Sequence, residues 1–205
     1  MKVIGITGLI GSGKDTVARV FELHGYKKLS FADSLKDCVS AIFGWDRKKL
    51  EGENPKDRRF RNTLDPFWTK KFGFTVTPRY IMQYFGTEVC REHFLKDIWV
   101  ASLENKLEDK NVITDVRFQN EYDFVKSNGG SIIRVVRNTP KWYNNALKAV
   151  EGDSDAVYAM KLAGVHESEW RSVGFLPDVV INNNKDITAL NDIVNDMIPI
   201  LEKSK

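Results

Sequence analysis

The segment Gly8-Leu9-Ile10-Gly11-Ser12-Gly13-Lys14-Asp15-Thr16 is the part of this chain best suited to chemistry. Its glycines let a backbone curl around a small anion, and the successive N–H groups of such a curl point inward. Lys14 adds a mobile positive charge. Gly-x4-Gly-Lys is a phosphate cradle when a strand precedes it and a helix follows. A nucleoside triphosphate is therefore the first ligand to expect, held by Gly11, Ser12, Gly13, Lys14, Asp15 and Thr16, with Lys14 on the β/γ-phosphates. The general pattern has Ser or Thr directly after the lysine, where its hydroxyl ligates Mg²⁺. Here Asp15 takes that place and the hydroxyl comes one later, at Thr16. Either Asp15 has the metal-linked role, or Thr16 reaches a phosphate or a metal-bound water.

Phosphoryl transfer needs charge neutralisation and alignment more than covalent chemistry. Candidates for that work lie further along. Asp115 and Arg117 follow the apolar run Asn111–Thr114, at a strand's C-terminal end, where open α/β sheets bind ligands. Asp115 would hold Mg²⁺ through water, and Arg117 would meet an acceptor phosphate or the group in transit. Glu121 would bind a sugar hydroxyl or orient an arginine. Arg79, Gln83 and Thr87 are spaced by four, so a helix would align them, with Gly86-Thr87 ending it. An arginine, an amide and a hydroxyl together suit a nucleobase and a phosphate. Trp99 is either a stacking surface for a base or a core residue. Ser34 and Lys36 would touch the acceptor. Arg137 and Arg171 would serve the triphosphate as in-chain arginine fingers. Asn183, within Asn182–Asn184, either reads adenine or belongs to a turn. His166 is expected to be structural, because a phosphate acceptor is already ionised near neutral pH.

Five short apolar runs are expected to be strands: Lys2–Thr7, Lys27–Phe31, Asn111–Asp115, Ser131–Val136 and Val179–Asn182. Most have a helical pattern beside them, which argues for an α/β fold with a parallel central sheet. Val17, Ala18, Val20 and Phe21 mark the buried face of the helix after the glycine loop. Leu35, Cys38, Val39, Ile42 and Phe43 predict another apolar helical face. Tyr80, Ile81, Tyr84 and Phe85 predict a third, in a helix capped by Thr77 with Pro78 at its first position. A stripe from Ile187 to Leu201 predicts a C-terminal helix, capped by Asp186 or Thr188. One domain is expected, with its core at about 1–31, 110–137 and 178–205. The insertions at about 32–109 and 138–177 would hold the acceptor and close as a lid. Arg47–Arg61 holds seven Lys/Arg and three acids and reads as a solvated loop or a mobile arm.

At 205 residues the chain can bury a substantial core. A net charge of +3 is too small to make nucleic acid the main partner. The two cysteines, Cys38 and Cys90, form no Cys-x-x-Cys pair, which argues against a metal cluster. Cys38 is expected in the core. No signal peptide is visible, and no apolar run approaches the ~18 residues of a membrane span. A reducing, cytoplasmic setting is the expectation, host cytoplasm if the source is viral.

The chain resembles the deoxynucleoside monophosphate kinases of tailed bacteriophages, within the P-loop nucleoside monophosphate kinase fold. The resemblance rests on Gly-Ser-Gly-Lys-Asp-Thr at 11–16, Ser-Phe-Ala-Asp-Ser-Leu-Lys at 30–36, Arg79 with Gln83 and Gly86-Thr87-Glu88, and Asp97-Ile98-Trp99. Asp115-Val116-Arg117-Phe118-Gln119-Asn120-Glu121 and His166-Glu167-Ser168-Glu169 complete it, in the family's order. It implies a three-layer sandwich on a five-stranded parallel sheet. It also implies transfer of the ATP γ-phosphate to a deoxynucleoside 5′-monophosphate, with Mg²⁺. Lys14, Asp15 and Thr16 would serve ATP and the metal. Arg79, Gln83, Gly86, Thr87, Trp99, Asp115, Arg117 and Glu121 would face the acceptor. Such enzymes are often homodimers. A kinase of another acceptor, such as dephospho-coenzyme A, and an ATP-driven switch module are the competing readings.

Overall fold

The computed structural model describes residues 1–203. Two compact units divide the chain. One comprises Met1–Ser30 and everything from Glu104 onward, and the other Phe31–Leu103.

The first unit is built on five parallel strands: β1 (Lys2–Thr7), β2 (Lys27–Leu29), β3 (Lys110–Ile113), β4 (Ser131–Val136) and β5 (Val179–Asn182). Their spatial order is β2-β3-β1-β4-β5. Lys2 pairs with Lys110 on one side of β1, and Ile4 with Ser131 on the other. The central strand β1 is buried from Val3 to Thr7, as a strand covered on both faces must be. The expected ranges of β1, β4 and β5 match the observed ones. β2 stops two residues earlier than expected, and β3 ends at Ile113, leaving Thr114 and Asp115 in the exit loop.

Helix α1 (Lys14–Leu23) buries Val17, Ala18, Val20 and Phe21 against one face of the sheet. The C-terminal helix (Ile187–Lys203) joins that layer through Leu190, Val194, Met197 and Ile198. Asp186 caps it by accepting from Ala189 N at 2.9 Å. Ile187 and Ile193, expected in the same stripe, are 65% and 42% exposed, so the buried stripe is narrower than its apolar residues. A helix at Gln119–Ser127 covers the opposite face through Phe124 and Val125. Gly5 is needed here, since a Cβ would come within 2.8 Å of the Ile132 side chain. The expected last two core residues, 204 and 205, lie outside the described residues.

The region expected as a lid carries two helices, Tyr143–Val150 and Ser154–Leu162, and two 3₁₀ turns, Glu167–Glu169 and Arg171–Gly174. They close a small core of Ala146, Ala149, Ala156, Met160, Trp170 and Val173, and Leu9 of the glycine loop packs against it.

The second unit is helical. It contains α2 (Asp33–Phe43), α3 (Pro55–Asn62), α4 (Pro66–Phe72) and α5 (Pro78–Tyr84). A π-helix over Phe85–Glu92 continues α5, and α6 (Ile98–Glu104) follows. Asn54, Asp65 and Thr77 each cap a helix that has proline at its start. Much of the basic segment expected as a loop is therefore helix α3, which buries none of its residues. α2 buries Leu35 and Val39, whereas Ile42 is 53% exposed and Cys38 is exposed rather than in the core. α5 buries Ile81 and Met82, and Tyr80 and Tyr84 stack on each other at the surface. Among the described residues, no helix is long and apolar enough to cross a membrane.

Candidate active site

The chain turns as soon as β1 ends. Gly8, Gly11 and Gly13 all have positive φ, where side chains are disfavoured. At two of them a side chain would also collide. A Cβ on Gly8 would sit 2.4 Å from the Val135 carbonyl oxygen, and one on Gly13 2.3 Å from Asn183 Nδ2. Lys14 opens α1, and its Nζ donates to the carbonyls of Gly8 (2.8 Å) and Leu9 (3.0 Å). Desolvation lowers its pKa to about 8. The charge of Arg117 pushes the same way, while Asp15, Glu169 and Asp115 oppose it. Asp15 is largely exposed and lies 3.6 Å from Lys28 Nζ. Thr16 sits beside it in the first turn of α1, its own amide bonded to the Gly13 carbonyl at 3.0 Å.

Asn183 braces this loop. Its Nδ2 donates to the Ser12 carbonyl at 2.8 Å, its backbone N donates to Val136 O at 2.7 Å, and it is 7% exposed. This bond uses one of the two amide hydrogens of Asn183 and gives its side chain a bracing role beside the expected alternatives of reading adenine or belonging to a turn. The hydroxyls of Thr7 and Ser12 are buried without a partner. Both residues line a cavity beside the loop, together with Arg134, Arg137 and Tyr143. Arg134 donates to the carbonyls of Ser172 and Phe175, whereas Arg137 is exposed where β4 ends. Arg171 pairs with Glu167 at 2.8 Å and lies over the Trp170 ring.

The exit of β3 supplies the other half of the charge. Asp115 Oδ2 accepts from Ser30 Oγ at 2.7 Å. Glu121, 2% exposed, accepts from the backbone N–H groups of Arg117 (2.7 Å) and Phe118 (3.1 Å). Its carboxylate fixes the turn from which Arg117 projects. Of the two roles expected for Glu121, this geometry favours orienting an arginine over binding a sugar. Arg117 Nη1 donates to Ser168 O at 3.0 Å and lies 3.3 Å from Glu169 Oε2. Burial works against the guanidinium charge, but Glu169, Asp115 and Glu121 outweigh it and hold the pKa above the ordinary arginine value.

Sequence reasoning picked out Glu169 only as part of a polar cluster. Its partner is 52 positions upstream in a different element, and no local spacing signals such a pairing. His166 is structural as expected: its ring nitrogen accepts from Ser168 N and caps the 3₁₀ turn.

In the second unit, Arg79 Nε donates to Asn62 Oδ1 at 2.9 Å. Gln83 is half-buried near the end of α5, and Thr87 is 5% exposed. Gly86 and Thr87 do not end the helix as expected. They fall inside the π-helix, whose wider turn breaks the four-residue alignment. Trp99 is buried, and its Nε1 donates to the Gly86 carbonyl at 2.9 Å. The stacking role expected for it does not fit this burial; it packs and holds the Gly86 turn. Lys36 is paired with Glu51 at 2.6 Å and Asp33 at 3.5 Å, and Ser34 shares a hydrogen bond with Ser102. Among the described residues, no three His, Cys, Asp or Glu side chains gather into a metal site.

A parallel sheet whose central strand runs into a phosphate-binding loop, with Lys14 at the helix start, defines a P-loop nucleotide-binding protein. Residues 68–147 match the family model described as deoxynucleotide monophosphate kinase. A putative deoxynucleotide monophosphate kinase of Acanthamoeba polyphaga mimivirus is 34% identical over 153 residues, covering 67% of this chain and 75% of that protein. A deoxynucleoside-5′-monophosphate kinase of Escherichia phage T5 is 25% identical over 178 residues, 60% of this chain and 71% of that one. Among solved structures, shikimate kinase from Acinetobacter baumannii in complex with shikimate matches at 16% identity with a TM-score of 0.45, covering 100% of this chain and 95% of that one. The chain belongs to the deoxynucleotide monophosphate kinase family.

Proposed function

We propose that this chain transfers the γ-phosphoryl group of ATP to the 5′-phosphate of a deoxynucleoside monophosphate, giving ADP and the deoxynucleoside diphosphate. The observation that carries the reading is the gathering of Lys14 and Arg117 at one end of the sheet, near enough for the Arg117 charge to lower the Lys14 pKa, with Asp115 close to both. An acceptor oxygen attacks the γ-phosphorus while the bond to the β-phosphate oxygen breaks. Both partners are anions, so the barrier is dominated by charge repulsion and alignment.

The inward amides of Gly11–Lys14 and the N-terminus of α1 hold the triphosphate. Lys14 leaves its two loop carbonyls for the β/γ-oxygens, and the buried Ser12 hydroxyl becomes available to the same anion. Arg117 neutralises the acceptor phosphate and the group in transit. Arg137 and Arg171 add charge from the lid region, which also keeps water from competing as acceptor. Within the second unit, taken by itself, Arg79, Gln83, Gly86 and Thr87 are the side chains and backbone suited to an acceptor nucleotide. Ser34, Lys36 and Trp99 serve it indirectly by fixing α2 and the Gly86 turn.

Asp15, Thr16 and Asp115 offer only oxygen donors, which suits Mg²⁺. These residues would hold the ion at the phosphate loop. When bound, Mg²⁺ neutralises charge developing on the β- and γ-oxygens.

The test is ADP formation with each of the four deoxynucleoside monophosphates, beside ribonucleotides, dephospho-coenzyme A and a blank without acceptor. Turnover that depends on a deoxynucleotide is expected. ADP release in the blank alone, or turnover with dephospho-coenzyme A only, overturns the reading.

A further inference from the structure

Arg117 is gripped along one edge only. Its Nη1 meets the Ser168 carbonyl and the Glu169 carboxylate, both from the 3₁₀ turn Glu167–Glu169. Among the described residues, the hydrogen bond that this guanidinium donates comes from Nη1, and the side chain is 34% exposed. A guanidinium has its donors in a fixed plane, so holding one corner sets the direction of the rest. The remaining edge can meet two phosphate oxygens at once, and such a fork discriminates geometry as well as charge. From below, Glu121 fixes the backbone from which Arg117 springs. From the lid region, Glu169 fixes its far end. Glu169 is 16% exposed at its side chain, so its charge is little screened by water.

We propose that Glu169 is a positioning residue that aims Arg117 at the phosphoryl group. It touches neither substrate; it acts through the guanidinium. The 3₁₀ turn thereby makes the lid region part of the catalytic arrangement, since moving Glu169 redirects Arg117. This inference rests on the role given to Arg117 under the proposed function.

The test is a double-mutant cycle with Glu169→Ala and Arg117→Ala, read both by turnover and by calorimetric binding of ATP. Glu169→Ala alone is expected to lower kcat by about 10- to 100-fold, the scale of a misaimed catalytic group, with KM for ATP changed less than about threefold. In the Arg117→Ala background the same substitution should add less than about twofold, because the guanidinium it aims is gone. Glu169→Gln keeps an acceptor without the charge and should fall between, with an unchanged melting temperature. Multiplicative effects in the two backgrounds, or parental kcat in Glu169→Ala, would overturn the proposal. If the parent chain turns over no deoxynucleotide, the functional reading fails instead. The ATP-binding cycle then decides alone, with coupling between the two positions supporting the proposal and independent effects rejecting it.

Discussion

Lys14 is a single side chain with two jobs in conflict. Its charge must meet phosphate, yet its ammonium is desolvated enough to bring its pKa to about 8. In the free protein, kcat/KM for ATP should therefore fall along an alkaline limb centred near pH 8, measured as a pH–rate profile. The same shift acts on stability. Between pH 8 and the ordinary lysine range the unfolded chain binds the extra proton, so this residue's contribution to stability rises with pH. Comparing unfolding free energies of the parent and Lys14→Met across that range should show a shallower rise in the variant. Lys14→Ala should lower turnover by at least 100-fold while leaving the melting temperature nearly unchanged, since losing its two loop hydrogen bonds is offset by relief of the desolvated charge. Asn183→Ala removes the brace on the Ser12 carbonyl and should weaken ATP binding by roughly tenfold, about the value of one buried hydrogen bond. The glycine loop and the Asp115/Arg117 pair were legible because spacing and strand-end position carry their meaning. The brace that Asn183 places on the loop was not legible, since a side chain's partner 171 positions away leaves no mark on local sequence.

Among the elements, those with complete local signals were readable and those decided by packing were not. Thr77-Pro78 announces α5, because cap and proline lie side by side; Asn54-Pro55 and Asp65-Pro66 carry the same signal at α3 and α4. The charge of the basic segment masked the first of these. The π-helix had no signature, and it moves Gly86 and Thr87 out of the register that α-helical spacing assigns. Its stability depends on tertiary partners. Leu35 packs against Gly86, where a Cβ would approach to 2.7 Å, and Trp99 donates to the Gly86 carbonyl. Trp99→Phe keeps a ring but removes the buried hydrogen bond to that carbonyl. It should cost about 1–3 kcal/mol in denaturant unfolding and raise KM for the acceptor more than KM for ATP. If both KM values stay at parental levels, the Gly86 turn has no part in acceptor binding.

At the scale of the whole molecule, stability is unevenly distributed. The sheet is covered by apolar helices on both faces, whereas α3 buries none of its residues and presents Lys56, Arg58 and Arg59 to solvent. Brief treatment of the native protein with trypsin should cut first between Lys48 and Arg61, long before any site in the strands, as mass spectrometry of the fragments would show. The order of the strands has a further consequence, one of timing. β1 leaves the ribosome before either of its neighbours in the sheet, which begin only at Lys110 and Ser131. The loop that β1 feeds gains its brace later still, when Asn183 emerges. A nascent chain thus carries its phosphate loop through more than a hundred residues of synthesis without the strands that fix it. The nucleotide site is encoded in two distant pieces, its loop well ahead of its brace.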